Sequence, residues 1–448
     1  MINFDLKPSE EVGFHHLFLK EFYFGPIPKI RYHISHNDLD GYACNLITDV
    51  ASIVSKKLDI CSDETNDGCY NIASNIPIPH YLNDTIANFF DDFRNEMQTK
   101  ELWILITDLG GIDPFDLYGV LESCRKKHGI YTTNICVCIM DHHINTILDS
   151  IPEETNNAYV LRKDATTGRT KFFMINDGIG IEYYGNMKKS AAKILTDDFL
   201  NLQIVKDALQ WTSIHRIMQF SDYVSLWDTG NFGYWYSNKI HEVDKQVKYN
   251  LLFSHFSQLD YLSGTEDKTD VMRRLFITQL ADYFSDPHNP GTFLDIYNEI
   301  AETRLRKMND DYFEFLKLES KRIKLLEALT AGQIVLEIEG EPYTVKIPGE
   351  TLAKSTDYDP KLENMDIVIF KDTEEFNSYS YSPYAQRYLK DPREENGITI
   401  RINKHSNGDI SVDMRSLHDE ISVQAIAFVN GGGGHKKAAG FPIIANKK

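Results

Sequence analysis

His36, Asp38 and Asp40 stand two residues apart in the run Ser35-His36-Asn37-Asp38-Leu39-Asp40-Gly41. In an extended segment that spacing turns one imidazole and two carboxylates to the same side of the chain. Groups of that kind, a few ångströms apart, shift one another's ionisation unless a cation lies between them. The plainer alternative is an Asn/Asp-rich turn that caps the helix after it. Asp108 and Asp141-His142-His143 add further oxygen and nitrogen donors, enough with the first three for two divalent ions. Mixed carboxylate and imidazole ligation suits manganese, iron or zinc more than calcium. Far downstream lies Gly431-Gly432-Gly433-Gly434-His435-Lys436-Lys437-Ala438-Ala439-Gly440. Backbone N–H groups of a glycine run can approach an anion closely, and His435, Lys436 and Lys437 add charge beside it.

Each acid-rich piece sits where a strand should end. Ile30, Tyr32 and Ile34 alternate with Arg31, His33 and Ser35, which predicts a strand over 29–35. After Gly41 the apolar residues Ala43, Leu46, Ile47, Val50, Ile53 and Val54 fall on one helical face. The apolar run 103–107 leads into Asp108 and the run 135–140 into Asp141, with a helix expected over 115–127 between them. Strands alternating with helices predict a parallel sheet with right-handed crossovers, whose functional residues gather outside the carboxyl ends of the strands. Residues 190–223 read as helical. So does 292–329, rich in Glu, Lys, Arg and Leu and suited to connecting two domains. From 331 onward short strands are expected at 334–338, 367–370, 398–402 and 410–414. The fold class is therefore α/β. A parallel-sheet catalytic domain is expected over 1–250, a mostly helical connector over 251–330 and a smaller α/β substrate-binding domain over 331–448.

The 448 residues leave room for two or three domains, and 42% hydrophobic with 25% charged residues is ordinary for a globular protein. No apolar run of about 18 residues is present, and the first residues lack the build of a signal peptide. Six cysteines without a Cys-x-x-Cys pair point to a reducing, cytoplasmic setting rather than a disulfide framework or a zinc site. Cys136 and Cys138 should share one strand face. A net charge of −19 argues against a protein that coats long duplex DNA, since phosphate binding needs a basic footprint.

These motifs, in this order, resemble the DHH phosphoesterase superfamily with its DHH-associated C-terminal domain. The branch is that of nanoRNases, single-strand exonucleases and cyclic-dinucleotide phosphodiesterases. The resemblance touches both ends of the chain and carries little over 230–400. It implies that His36 and Asp38 hold one metal ion and Asp40 the other. Asp108 would bridge both, His142 would bind the second, and His143 would face the substrate phosphate, which makes Asp108 and His143 the catalytic pair. A further aspartate is implied after a helix. Asp222 in Gln219-Phe220-Ser221-Asp222-Tyr223 fits that place, and Asp228 in Leu226-Trp227-Asp228-Thr229 is its rival. Asp141 reads as the partner that orients a histidine. Gly432, Gly433, Gly434, His435 and Lys436, with Arg415 of Met414-Arg415-Ser416, would contact substrate.

The cofactor implied is a pair of Mn2+ ions, with Mg2+, Co2+ or Zn2+ as alternatives. The activity implied is hydrolysis of short oligonucleotides. Cyclic dinucleotides, nucleotide 3',5'-bisphosphates and pyrophosphate or polyphosphate remain open, as does a non-catalytic nucleotide-binding role. The expected partner is a short oligonucleotide or other nucleotide, with no long duplex and no membrane, and homodimerisation is left open. His15, His16, His80, His215 and His255 read as structural. The 24 Tyr and 25 Phe should mostly be core, with the loop 379–384 a candidate for stacking on bases.

Overall fold

The apolar runs form strands buried on both faces, as a sheet covered by helices on each side requires. In the computed structural model Leu102 to Thr107 and Ile135 to Asp141 are buried without a break. The structure describes residues 14–25, 29–58, 60, 70–76, 81–131, 133–143, 146–151, 154–155, 159–164, 166, 169–229, 248–257, 259, 270–289, 293–304, 315–352, 364–371, 385, 388–389, 396–404, 409–418 and 420–443. The described residues up to Asn298 belong to one compact unit and those from Glu299 onward to a second.

The first unit is a mixed α/β layer. Its strands are β1 (Lys29–His36), β2 (Tyr70–Ile76), β3 (Glu101–Thr107), β4 (Ile135–Asp141), β5 (Glu154–Thr155), β6 (Tyr159–Asp164), β7 (Arg169–Asn176) and β8 (Ile179–Asn186). They lie in the order β2-β1-β3-β4-β8-β7-β6-β5. The five from β2 to β8 are parallel and the rest antiparallel. The chain leaves β1 toward β2 and then crosses to β3 on the other side. The sheet therefore has its switch point between β1 and β3, where open α/β sheets leave a crevice at the carboxyl ends.

Register makes this placement matter. Ser35 pairs with Thr107, and Thr107 pairs with Met140, so the ends of β1, β3 and β4 are level. The parallel sheet and its strand ends follow the sequence expectation.

The helices of this unit include α1 (Phe14–Phe24), α2 (Leu39–Lys57), α3 (Leu82–Asp92), α4 (Pro114–His128), α5 (Thr146–Ser150), α6 (Ala191–Leu200), α7 (Gln203–Ala208), α8 (Trp211–Asp228), α9 (Val271–Ser285) and α10 (Phe293–Ile296). The single helical stretch expected over 190–223 is three helices, because Leu202 and Gln210 take extended backbone angles that end one helix and start the next. Of the mostly helical connector expected over 251–330, the described residues up to 298 belong instead to the first unit, where α9 packs on α2, and Glu319–Lys324 form a strand rather than helix.

The second unit carries β9 (Glu319–Lys324), β10 (Gln333–Ile338), β11 (Glu341–Lys346), β12 (Asp366–Phe370), β13 (Asn396–Lys404), β14 (Ile410–Arg415), β15 (Gly433–His435) and β16 (Ala438–Ile443), with α11 (Leu325–Ala331) and α12 (Val423–Val429). Its main sheet runs β15-β16-β14-β13-β12-β9, and β10 and β11 form a separate hairpin. A core of Ile, Val, Leu, Met and Phe side chains, including Ile367, Ile400, Met414 and Phe441, fills the unit. No helix among the described residues is long and apolar enough to cross a membrane.

Candidate metal centre

The motif around His36 is not extended, although sequence spacing suggested it. Strand β1 stops at His36, Asp38 is the N-cap of α2 with its carboxylate accepting from Gly41 N, and Asp40 lies in the first helical turn. Capping and chemistry thus fall on the same residues. The turn closes only because residue 41 lacks a side chain. A Cβ there would sit 2.1 Å from the carbonyl oxygen of His36.

The strand end is also tied sideways, since Asn75 Nδ2 on β2 donates to Ser35 Oγ at 2.7 Å and to His36 O at 2.8 Å. Arg273 of α9 donates to Asn37 O at 3.3 Å. Neither Asn75 nor Arg273 is signalled in the sequence, because each reaches the motif only through tertiary packing.

Asp108 follows β3 with φ at 58°, a left-handed conformation that costs a non-glycine residue of order 1 kcal/mol or more. The distortion turns its carboxylate between two groups of donors. Its Oδ1 lies 3.1 Å from His142 Nε2, and its Oδ2 lies 4.0 Å from His36 Nδ1. His36 Nδ1 in turn is 2.9 Å from Asp38 Oδ2. His142 Nε2 is 2.9 Å from Asp228 Oδ2 and 3.8 Å from Asp40 Oδ2.

Three sets of ligand atoms result, each within 4.8 Å: His36, Asp38 and Asp108; Asp40, His142 and Asp228; and Asp108 with Asp141, His142 and His143. Each residue expected as a ligand falls in one of these sets except Asp222, and its rival Asp228 falls in one instead. Asp222 is half exposed and pairs instead with Lys193 at 2.7 Å.

Asp40 is anchored at the start of α6, where Ala191 N and Ala192 N donate to its two oxygens at 2.8 and 3.1 Å. A helix N-terminus is a natural seat for an anion. Even so, burial and then the nearby Asp228 carboxylate push Asp40 up to about 7. Burial, then the charges of Asp38 and Asp40, hold Asp108 well above the usual carboxylate range. Burial alone would lower the His142 imidazole, but the Asp228 and Asp108 carboxylates outweigh it and hold it above its ordinary value. The cluster therefore carries too much negative charge for its own burial, and among the described residues no hydrogen-bond donor reaches the buried Asp108 Oδ2. A divalent cation relieves both conditions, so these residues fit metal.

Asp141 works differently. Its Oδ1 accepts from His143 Nδ1 at 2.7 Å and from the backbone N–H groups of His142 and His143. The histidine beside it and these hydrogen bonds outweigh burial and hold its carboxyl down at about 2. His143 is half-buried, and its ring packs so near Gly110 that a Cβ there would come within 2.8 Å of it.

In the second unit, Arg415 of β14 pairs in register with Ala438 of β16, so the arginine and the glycine-rich segment lie together. Gly431 N donates to Phe428 O at 3.1 Å and Gly432 N to Ala427 O at 2.8 Å. These two N–H groups close the end of α12 and are not offered to an anion, which corrects the expectation of a four-glycine nest. The run is not a loop throughout, because Gly433–His435 form a strand against β16. Gly432 is needed for packing, since a Cβ there would meet Gly440 O at 2.0 Å. Lys436 O and Lys437 O accept from Val423 N and Ser416 N. The side chains of His15, His16 and His435, together with His80 and the loop 379–384, lie outside the described residues.

No family model matches the chain. A 3',5'-cyclic-nucleotide phosphodiesterase of Helicobacter pylori is 23% identical over 206 residues, 45% of this chain. The match likewise spans 45% of that protein's length. The motif set and its geometry are consistent with the DHH phosphoesterase superfamily. Among solved structures, the DHH domain of a member of a family of ribosomal proteins is 12% identical at a TM-score of 0.48, covering 95% of this chain and 85% of that one. An exopolyphosphatase-related protein of Bacteroides fragilis is 12% identical at a TM-score of 0.42, covering 98% and 94%. An uncharacterised protein of Helicobacter pylori is 15% identical at 0.27, covering 93% of each chain.

Proposed function

We propose that the chain is a phosphodiesterase of nucleotide substrates, with short oligonucleotides first among them, that works with two divalent ions. His36, Asp38 and Asp108 would hold one ion, and Asp40, His142, Asp228 and Asp108 the other. The observation that carries this is Asp108, whose two oxygens face the two donor groups from one strained position. Manganese at such a centre supplies an activated water and charge neutralisation for in-line attack at phosphorus.

The protein's own part is positional. Asp141 accepts from His143 Nδ1–H and so orients the ring, whose Nε2–H in the imidazolium form would be the donor to a phosphate oxygen. Arg415, Gly433, Gly434, His435 and Lys436 of the second unit are the proposed substrate contacts, and a guanidinium suits bidentate capture of phosphate.

The activity named for the Helicobacter relative favours a second reading, hydrolysis of a 3',5'-cyclic mononucleotide. A dinucleotide and 3',5'-cyclic AMP, each assayed with manganese, separate the two. We expect dinucleotide turnover, lost in Asp108→Ala while the circular dichroism spectrum is retained. Turnover of cyclic AMP alone selects the second reading. Unchanged turnover by Asp108→Ala refutes the bridging role in both.

A further inference from the structure

Within the first unit, α6, α8 and the ends of β7 and β8 enclose a cavity of about 710 Å³, distinct from the metal cluster. That is the size of a small-molecule site, roughly 300–1,000 Å³. Two features of its wall point to what it takes.

One is an apolar stripe turned out of the core, in which the Trp211 ring stacks 6.3 Å from that of His215. Trp211, Ile214 and Met218 line the cavity at helical spacing on α8, whereas Ile217, Phe220 and Val224 supply the buried face of that helix. Trp211 is 73% exposed, and an indole in that position is a platform for a planar ring. The other feature is charge. Arg169, Lys189 and Lys206 line the cavity. Of the two aspartates there, Asp197 is already held by Lys189 at 2.6 Å and Lys193 at 2.8 Å. With Asp198 counted as well, the lining carries three basic side chains against two acidic ones, an excess of one positive charge in a chain of net charge −19. An aromatic platform beside basic side chains fits a flat ring that carries an anion.

We propose that this cavity is a second binding site, for a nucleoside monophosphate, and that its occupancy is felt at the metal cluster. The second half rests on the two-metal reading; the binding itself does not. Both helices of the cavity run to the cluster. Lys189, on the wall, precedes the N-cap Ser190, whose N–H donates to Ser225 Oγ at 2.9 Å. The next two residues, Ala191 and Ala192, grip Asp40. Helix α8 begins with Trp211 at the cavity and ends with Asp228 at the cluster. A ligand that orders the start of either helix acts on a metal ligand at its neighbour's seat or its far end.

The test uses the full chain, adenosine monophosphate as probe, tryptophan fluorescence and calorimetry as readouts, and separate titrations with manganese alone. We expect saturable binding of the nucleotide that is weakened about tenfold or more by Lys206→Glu and by Trp211→Ala. Both variants should bind manganese alone as the wild type does. In the wild type, but in neither variant, the nucleotide should shift the apparent manganese affinity. No nucleotide binding, or binding that neither substitution changes, overturns the site. A change of oligomeric state in Trp211→Ala with unaltered nucleotide binding overturns it too, and gives the stripe to a second copy of the chain. Nucleotide binding without any effect on manganese overturns the coupling. A wild type that binds nucleotide but no manganese overturns the coupling through its premise, the metal centre, and leaves the cavity site supported.

Discussion

Asp222 and Asp228 lie on one helix, yet only Asp228 reaches the histidine at the end of β4. Six residues at about 100° each turn them some 120° apart on α8, so they face different surroundings. Asp228→Asn is expected to weaken manganese binding about tenfold or more and to depress turnover with it, as loss of a direct ligand does. Asp222→Asn breaks only a half-exposed pair with Lys193 and should change either by less than about twofold. Manganese titrations of the two variants decide between them. The residue types of the centre were legible in the sequence, because oxygen and nitrogen donors cluster at three strand ends. Which of two aspartates on one helix joins them was not, since that depends on the rotation of α8 against the sheet. Nor was the seat of Asp40, made by backbone N–H groups 151 and 152 residues away.

Among the elements, β1, β3 and β4 deliver the centre by being level, and a buried histidine helps fasten them. His33 of β1 bonds Thr48 Oγ1 on α2 and Thr107 Oγ1 on β3, each at 2.9 Å. Burial lowers its imidazole to about 3, so the folded protein holds it neutral at pH values where the unfolded chain protonates it. Its stabilising contribution is complete above the ordinary histidine value of about 6.5. It is lost as the pH falls from there toward 3, by up to about 1.4 kcal/mol for each pH unit. Urea unfolding in EDTA between pH 7 and 4 should show a stability slope that is shallower in His33→Gln. Equal slopes would mean that His33 is not buried neutral.

The strands themselves were readable from alternation and from apolar runs. The conformation between β1 and α2 was not, because the same His-x-Asp-x-Asp spacing suits an extended segment and a helix start alike. The glycine run was misread for a related reason. Its members pack as closely as a hairpin and a helix end demand, and that requirement leaves the same trace in sequence as an anion nest.

At the scale of the whole molecule, an α/β fold with a smaller C-terminal α/β unit was legible, and the boundary between the units was not. The expected connector 251–330 rested on the helical stretch 292–329, but α9 covers α2, and this attachment of the described residues up to 298 to the first unit has no local signature. The first unit then concentrates buried carboxylates that burial and mutual charge push toward protonation, in a protein already at −19. Such a fold gains stability from a bound cation by mass action, so chelation should lower its melting temperature and manganese restore it. The most direct test of the central claim is manganese stoichiometry with electron paramagnetic resonance on the loaded protein. Two ions per chain with an exchange-coupled spectrum, lost in Asp108→Ala, is the predicted result. A single isolated ion, or a coupled pair that survives that substitution, would contradict it.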